Sequence, residues 1–441
     1  MNFKDLGLSE ETLKAIDEKG YTEATPIQEQ AIPQILMTKD IIGLAQTGTG
    51  KTASFTLPMI EILATGRARM RMPRSLVLAP TRELAAQVAE NFNDYGKYHN
   101  LSMALLVGGS SMQEQIKKLE KGVDVLIATP GRLLDLFERG QILLSDIKVL
   151  VIDEADRMLD MGFIPDIESI MKKLPVMRQT LLFSATMPDE VKRLSETFLS
   201  NPKQITVTAA ASPAKTVTQK LVSLKSWKQK EKVLIQLLET TDVTNAFVFC
   251  NRKKDVDQLT QVLKRKGFSA AGLHGDMTQP VRTATLEKFK TDELRLLICS
   301  DVAGRGIDIK DVSHVFNYDV PMHADDYVHR IGRTGRAGAK GEAWMLSTDS
   351  DEKFLDAIYE KIDMKIPVHH IDGDKSKASE TTDKQSKPKA NRSPKGGKAR
   401  AKYTPNGEEN ASNTSTKKHH NDDNSKCVGF GGEDDIPAFL R

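Results

Sequence analysis

DIIGLAQTGTGKT, residues 40–52, runs a short apolar stretch into a loop of glycine and threonine that ends in lysine, and an apolar helical pattern follows. A strand, a Gly-rich turn and a helix in that order make a phosphate-binding loop. Successive backbone N–H groups of the turn form an anion nest, and the helix adds its positive end. This stretch also decides the fold, because strand–loop–helix repetition builds a doubly wound α/β sheet. The unit recurs downstream. SLVLAP (75–80), MALLVGG (103–109), DVLIATP (124–130), KVLVIDEAD (148–156) and TLLFSAT (180–186) are short β-rich runs. Several are apolar without alternation, as parallel strands covered on both faces are. Helical periodicity fills the gaps, as in Glu83, Leu84, Gln87, Val88 and Asn91, and a first domain is expected over residues 1–205. A lapse into Thr, Ala, Ser, Pro and Lys marks a linker at 206–217. KLVSL (220–224), NAFVFCN (245–251), FSAAGLHG (268–275), LRLLICSD (294–301), HVFNYD (314–319) and EAWMLS (342–347) then predict a second, similar domain over 218–370.

Length agrees: 441 residues fit two or three domains at roughly 100–200 residues each. The chain carries 63 Lys+Arg against 60 Asp+Glu, but this near balance hides an asymmetry. Residues 375–402 hold ten Lys/Arg and two acids, a local +8 that leaves −5 on the rest. The surrounding Ser, Thr, Asn, Gly and Pro cannot bury enough surface to offset ordering, so residues 371–441 read as a disordered basic tail. Such tails bind polyanions by neutralising phosphates, or serve simply as solubilising extensions. The terminal DDIPAFLR (434–441) regains hydrophobicity, as a short docking peptide does. No run approaches the ~18 apolar residues of a membrane span, and the first residues lack a signal peptide's apolar core. Cys250, Cys299 and Cys427 are far apart, with no CxxC and no His at zinc spacing. The expectation is a cytoplasmic protein without membrane or structural zinc.

Ligands of open α/β sheets bind beyond the carboxyl ends of the strands, and the polar clusters of this chain sit there. In Ala45, Gln46, Thr47, Gly48, Thr49, Gly50, Lys51 and Thr52, the lysine reaches β/γ-phosphates and the Thr52 hydroxyl ligates Mg²⁺. Ala45 stands where the general pattern has glycine. A buried strand ending in two acids needs a cation, so Asp153 is assigned to Mg²⁺ and Glu154 to the attacking water, with Glu154 also beside the metal. Helix capping accounts for one of these acids but not both.

Asp153-Glu154-Ala155-Asp156 spells the signature of the DEAD-box RNA helicases, and the chain resembles that family from about Phe3 to Pro367. The resemblance implies two tandem RecA-like domains that hydrolyse ATP with Mg²⁺ and act on RNA. GYTEATPIQ (20–28) is similar to the adenine-reading Q motif, which implies a bidentate adenine contact by Gln28 and stacking by Phe3; Ala24 replaces the usual proline. In YVHRIGRTGRAG (327–338) the resemblance makes Arg333 and Arg336 arginine fingers and puts His329 and Arg330 in the network joining this lobe to the DEAD segment. Asp308, in SDVAGRGID (300–308), would contact the ribose. Ser184 and Thr186 of the SAT element would couple hydrolysis to strand separation through Asp156 and His329.

The RNA track implied by the resemblance comprises Thr81, Arg82, Gly109, Thr129 and Arg132 in the first lobe. In the second it comprises Asn251, Gly275, Gln279, Arg282 and Ser300. These residues suit a sugar–phosphate backbone and include no stacking platform, so contacts should be blind to base identity. GRARMRMPR (66–74) reads equally as a further RNA contact or a solvated loop. A DNA translocase and a tail-driven RNA chaperone remain alternatives to local RNA unwinding. The compact architecture, the N-terminal GLSEETLKAIDEKGY and the basic tail look most like the RhlE-type bacterial branch, which implies work on ribosomal precursors or with the RNA-degradation machinery.

Overall fold

Every strand in the computed structural model pairs in parallel, which follows from strands that are apolar on both faces and joined by helices. The structure describes residues 1–46, 48–65, 72–207, 217–304, 312–335 and 341–370. The first sheet contains β1 (Ile41–Ala45), β2 (Ser75–Leu78), β3 (Met103–Leu106), β4 (Val125–Ala128), β5 (Val149–Ile152), β6 (Gln179–Ser184) and β7 (Lys203–Val207). Its order is β3-β4-β2-β5-β6-β1-β7. The second contains β8 (Val217–Leu224), β9 (Ala246–Phe249), β10 (Ala270–Leu273), β11 (Leu296–Cys299), β12 (His314–Asn317) and β13 (Gly341–Thr348), in the order β10-β11-β9-β12-β13-β8. Both sheets lie within one compact unit.

Each sheet is buried from both sides. Val77, Val151 and Leu181 face one core of the first lobe, while Leu76, Leu150 and Leu182 face the other. The period of two splits each strand between the layers. Parallel pairing also brings the ends of β5, β6 and β1 together, although their sequence segments lie far apart.

Two boundaries move. Residues 203–207 are an edge strand paired with β1, so 206–207 belong to the sheet and not to a linker. Only Ile205 of this strand is fully buried, and one inward side chain gives too little alternation to read. β8 starts at Val217, three residues before the run KLVSL. The rest of the expected linker, 208–216, and the tail, 371–441, lie outside the described residues.

The second lobe is tied together by Arg330, on the helix Ala324–Ile331, which is 2% exposed. Its Nε and Nη2 donate to the two carboxylate oxygens of Asp301, each at 2.6 Å. Nη1 donates to Asn317 Oδ1 at 3.2 Å and to the Asp319 carbonyl at 2.7 Å, and Nη2 also reaches Asn251 Oδ1 at 2.8 Å. The guanidinium lies over the Phe249 ring, 5.2 Å from its centroid. These partners all belong to the second lobe, so Arg330 braces the ends of β9, β11 and β12 and does not join the lobes as expected. Its bidentate fork suits a buried carboxylate as well as a phosphate. Arg330→Met removes the bidentate guanidinium from the Asp301 carboxylate and should cost about 3–5 kcal/mol of stability in urea unfolding. A loss below about 1 kcal/mol would contradict the bracing role.

Candidate functional site

A cavity of about 380 Å³ opens at the end of β1, with Gly48, Gly50, Lys51, Thr52, Asp153 and Glu154 in its wall. Ala45 is the last residue of β1 and 2% exposed; an extended strand position needs no glycine, which accounts for the departure there. Gly50 cannot be replaced in the same way. It caps the helix Lys51–Ala64 with φ +90°, and an added Cβ would collide with the Gln28 amide. Thr49 Oγ1 donates to the Gln46 carbonyl at 2.7 Å and closes the turn.

The N-terminal flank forms the far wall. Phe3 and Tyr21 line the cavity, together with Leu84, Gln87, Asn91 and Tyr95 of the helix Arg82–Tyr95. The flank is pinned by a bridge between Asn2 and Glu23 and by the Ala24 N–H, which donates to the Met1 carbonyl at 3.0 Å. A proline at position 24 has no N–H to give. Gln28 lines the cavity as well. Its Oε1 accepts from the Thr25 N–H at 2.9 Å and its Nε2 donates to the Gly50 carbonyl at 3.1 Å, so the amide ties the flank to the phosphate loop.

Asp153 and Glu154 sit side by side beyond β5, 2% and 7% exposed. Burial pushes the Asp153 carboxyl up to about 7 against the pull of Lys51, and Glu154 beside it pushes the same way. Burial also raises Glu154, but Arg157, Lys51 and Arg333 together hold it below the ordinary carboxylate range. Arg157 Nη1 donates to Glu154 Oε2. Asp153 Oδ1 is buried without a hydrogen-bond partner. That orphaned oxygen and Thr52 are the oxygen donors a hard cation takes, so the residues fit Mg²⁺, with Glu154 already engaged by Arg157. Among the described residues no group of three or more His, Cys, Asp or Glu forms a further metal cluster.

Asp156 connects this centre to β6. Its Oδ2 accepts from the Ala185 N–H (3.1 Å), the Thr186 N–H (2.8 Å) and Thr186 Oγ1 (3.0 Å), and its own N–H donates to Ser184 Oγ at 3.1 Å. Burial raises its pKa, but Lys51 and these hydrogen bonds bring it below the ordinary value. From the second lobe, Arg333 enters the same cavity wall and is 6% exposed. His329 is half-buried on the helix that leads to Arg333. Thr47, Asp308 and Arg336 lie outside the described residues.

A second cavity, about 410 Å³, lies between the lobes. Thr81, Arg82, Thr129 and Arg132 line it from one side, and Gly275 and Arg282 from the other. Not all of them are open to a ligand. Thr81 Oγ1 caps its helix by accepting from the Leu84 N–H at 3.2 Å, whereas Thr129 makes no side-chain cap bond. Arg132 Nη1 donates to Gln115 Oε1 at 3.2 Å. Arg82 packs against Gly108 and Gly109, where Gly109 has φ +76°, and reaches Gln279 Oε1 at 3.5 Å. The Asn251 side chain is spent internally: Oδ1 accepts from Arg330 and Nδ2 donates to the Val320 carbonyl, while its backbone N–H donates to the Asp319 carboxylate. Ser300 sits half-buried just past β11. Arg282 departs most from expectation. It is 5% exposed, and its Nε and Nη2 contact Glu83 Oε1 at 2.8 and 2.7 Å across the lobes. A buried carboxylate competes for the fork that suits phosphate. Phe163 and Met161 add apolar surface to the cleft. Arg74, from the basic loop, is structural: it pairs with Asp124 and donates to the Leu63 carbonyl at 2.9 Å. Residues 66–71 of that loop lie outside the described residues.

Tyr21, Gln87, Asn91 and Tyr95 line the first cavity without being among the residues expected from the motifs above. In sequence Gln87 and Asn91 belong to a helical periodicity, and their i, i+4 spacing on a helix that follows a strand is the signal that points to them.

Residues 25–194 match the family described as DEAD/DEAH box helicase, and residues 229–338 match the helicase conserved C-terminal domain. The ATP-dependent RNA helicase CshA of Limosilactobacillus reuteri is 46% identical over 358 residues, which is 81% of this chain and 71% of that protein. The DEAD-box ATP-dependent RNA helicase CshA of Bacillus cereus (strain ATCC 10987 / NRS 248) is 44% identical over 346 residues, 78% of this chain and 65% of that protein. The chain thus spans only about two thirds of the length of such relatives. CshA is a branch distinct from the RhlE type, so the branch suggested by the N-terminus and tail is not upheld. Among solved structures, S. cerevisiae Dbp5 bound to RNA and ADP BeF3 is 33% identical with a TM-score of 0.75, covering 83% of this chain and 95% of that one. A point variant of the same yeast protein, bound to Nup159, a Gle1 variant, IP6 and ADP, gives a TM-score of 0.56 at 31% identity, over 82% and 95%.

The raised Asp153 carboxyl has a pH signature. An unfolded aspartate titrates near about 4, so between about 4 and 7 the folded ligand-free protein holds a proton that the unfolded chain has lost. Stability contributed by this group therefore falls as pH rises through that window and is flat above it. Asp153→Asn should remove a slope of up to about 1.4 kcal/mol per pH unit, read from urea unfolding at several pH values. An unchanged slope would contradict the assignment.

Proposed function

The chain belongs to the DEAD-box ATP-dependent RNA helicases, and from that premise we propose that it hydrolyses ATP in a cleft closed by RNA and uses the reopening to separate short RNA duplexes locally. One observation carries this reading: Lys51 of the first lobe and Arg333 of the second line the same cavity as Asp153 and Glu154. A triphosphate bound there touches both lobes, so nucleotide and RNA each favour the closed form and tighten the other's binding. The higher TM-score against the RNA-bound yeast relative than against its Gle1-bound form supports a closed arrangement.

In this scheme Lys51 and the amides of the phosphate loop bind the β/γ-phosphates. Glu154 orients the attacking water and takes its proton, and Arg333 stabilises the charge that develops on the transferred phosphoryl group. Asp153 and Thr52 hold Mg²⁺, which when bound neutralises phosphate charge. Phe3 packs on the base. Arg336 adds a second finger, and Asp308 reads the ribose. Asp156 relays the state of the acid pair to Ser184 and Thr186, and His329 joins that relay from the second lobe.

RNA lies along Arg82, Gly109, Thr129, Arg132 and Gly275, with Gln279 and Ser300 at its margin, and contacts to phosphate and 2′-OH make the track blind to base sequence. Such a track suits long structured substrates, such as ribosomal precursors or mRNA in decay. The setting is cytoplasmic, where the buried free thiols of Cys250 and Cys299 stay reduced.

ATP turnover should rise on adding RNA and stay near basal with DNA of the same sequence. Glu154→Gln should keep ATP and RNA binding and lose about 10²–10⁴ of the stimulated rate. Equal stimulation by DNA, or wild-type turnover in Glu154→Gln, would overturn the reading.

A further inference from the structure

Arg157 has no part in the mechanism above, yet the residue is only 6% exposed and its guanidinium contacts Glu154 of the acid pair. It stands on the short helix Ala155–Asp160, one turn after Glu154, and its Nη1 donates to Glu154 Oε2. Its backbone N–H is tied separately to Asp156 Oδ1 at 3.0 Å. Glu154 itself has a left-handed backbone, φ 54° and ψ 56°, which turns the chain sharply out of β5 and sends the carboxylate into the nucleotide cavity. A non-glycine residue holds that conformation only when its surroundings over-determine it.

We propose that Arg157 is the positioning residue for Glu154: by gripping Oε2 it fixes the carboxylate so that Oε1 faces the water that attacks the triphosphate. This rests on the reading of Glu154 as the general base. An i, i+3 ion pair on a solvated helix face contributes a few tenths of a kcal/mol and fixes little. Here both partners are buried, and the alternative to the pair is a carboxylate free to rotate in a cavity that also holds Lys51 and Arg333. Either of those cations would draw Glu154 off the water and toward the groups meant for phosphate. Arg157 reaches Glu154 through the single contact from Nη1 to Oε2, one that a lysine ammonium on the same helix position can also make, so the restraint is the buried cation on the rear oxygen.

The test is steady-state ATP turnover at saturating RNA with Arg157→Met and Arg157→Gln, alone and combined with Glu154→Gln, alongside Arg157→Lys and thermal melts of each protein. A displaced catalytic group lowers kcat without changing uniform substrate binding. Both uncharged variants should lose about tenfold or more in kcat with KM for ATP within about twofold. Arg157→Lys should regain most of the loss, and the uncharged changes should add nothing in the Glu154→Gln background. Three results would overturn the inference: wild-type kcat in the uncharged variants, the same loss in the Glu154→Gln background, or a loss matched by failure of both uncharged variants to fold. If Glu154→Gln alone turned over at the wild-type rate, the reading of Glu154 would fail first. A collapse of Glu154→Gln with unaffected Arg157 variants would sink only the positioning role.

Discussion

Two carboxylates buried next to each other cannot both remain charged without cations, and that constraint organises the molecule. Asp153 and Glu154 are held beyond β5 at exposures below a tenth. Removing a carboxylate from water costs several kcal/mol even after relaxation. The protein meets this cost unequally. Lys51, Arg157 and Arg333 keep Glu154 ionised, while burial leaves Asp153 poised near neutrality with one oxygen unpartnered. The proposed roles follow this asymmetry: the ionised acid would do a base's work, and the other would exchange its proton for a metal ion.

Because one of the three cations comes from the second lobe, the acid pair is complete only when the lobes meet. The buried Glu83–Arg282 pair has the same logic at the other end of the cleft. Separating the lobes exposes both charges to water, so this pair orients the closed form more than it stabilises it. Closure is therefore sensitive to whatever enters the two cavities.

The sheets were legible because each strand is a short local run whose period is visible in a few residues; all six strands expected in the second lobe are present. β7 was missed because an edge strand with one buried side chain has no pattern to read. The phosphate loop and the acids were legible as contiguous motifs. What sequence could not resolve was the choice of partner. Arg282, Arg330 and Arg333 have the same chemistry, and only the fold shows that the first pairs with Glu83, the second with Asp301, and the third lines the cavity beside Lys51 and the acid pair. Asn251 reads as a ligand contact for the same reason, although its side-chain amide is engaged by Arg330 and the Val320 carbonyl.

In the proposed mechanism a nucleotide is held between the lobes. The most direct test is single-turnover ATP hydrolysis by Arg333→Ala in saturating RNA, measured with nucleotide binding on the same samples. Binding should persist through the phosphate loop, and hydrolysis should fall by about 10³ or more. Hydrolysis at the wild-type rate would mean that the first lobe works alone, and the account would be wrong.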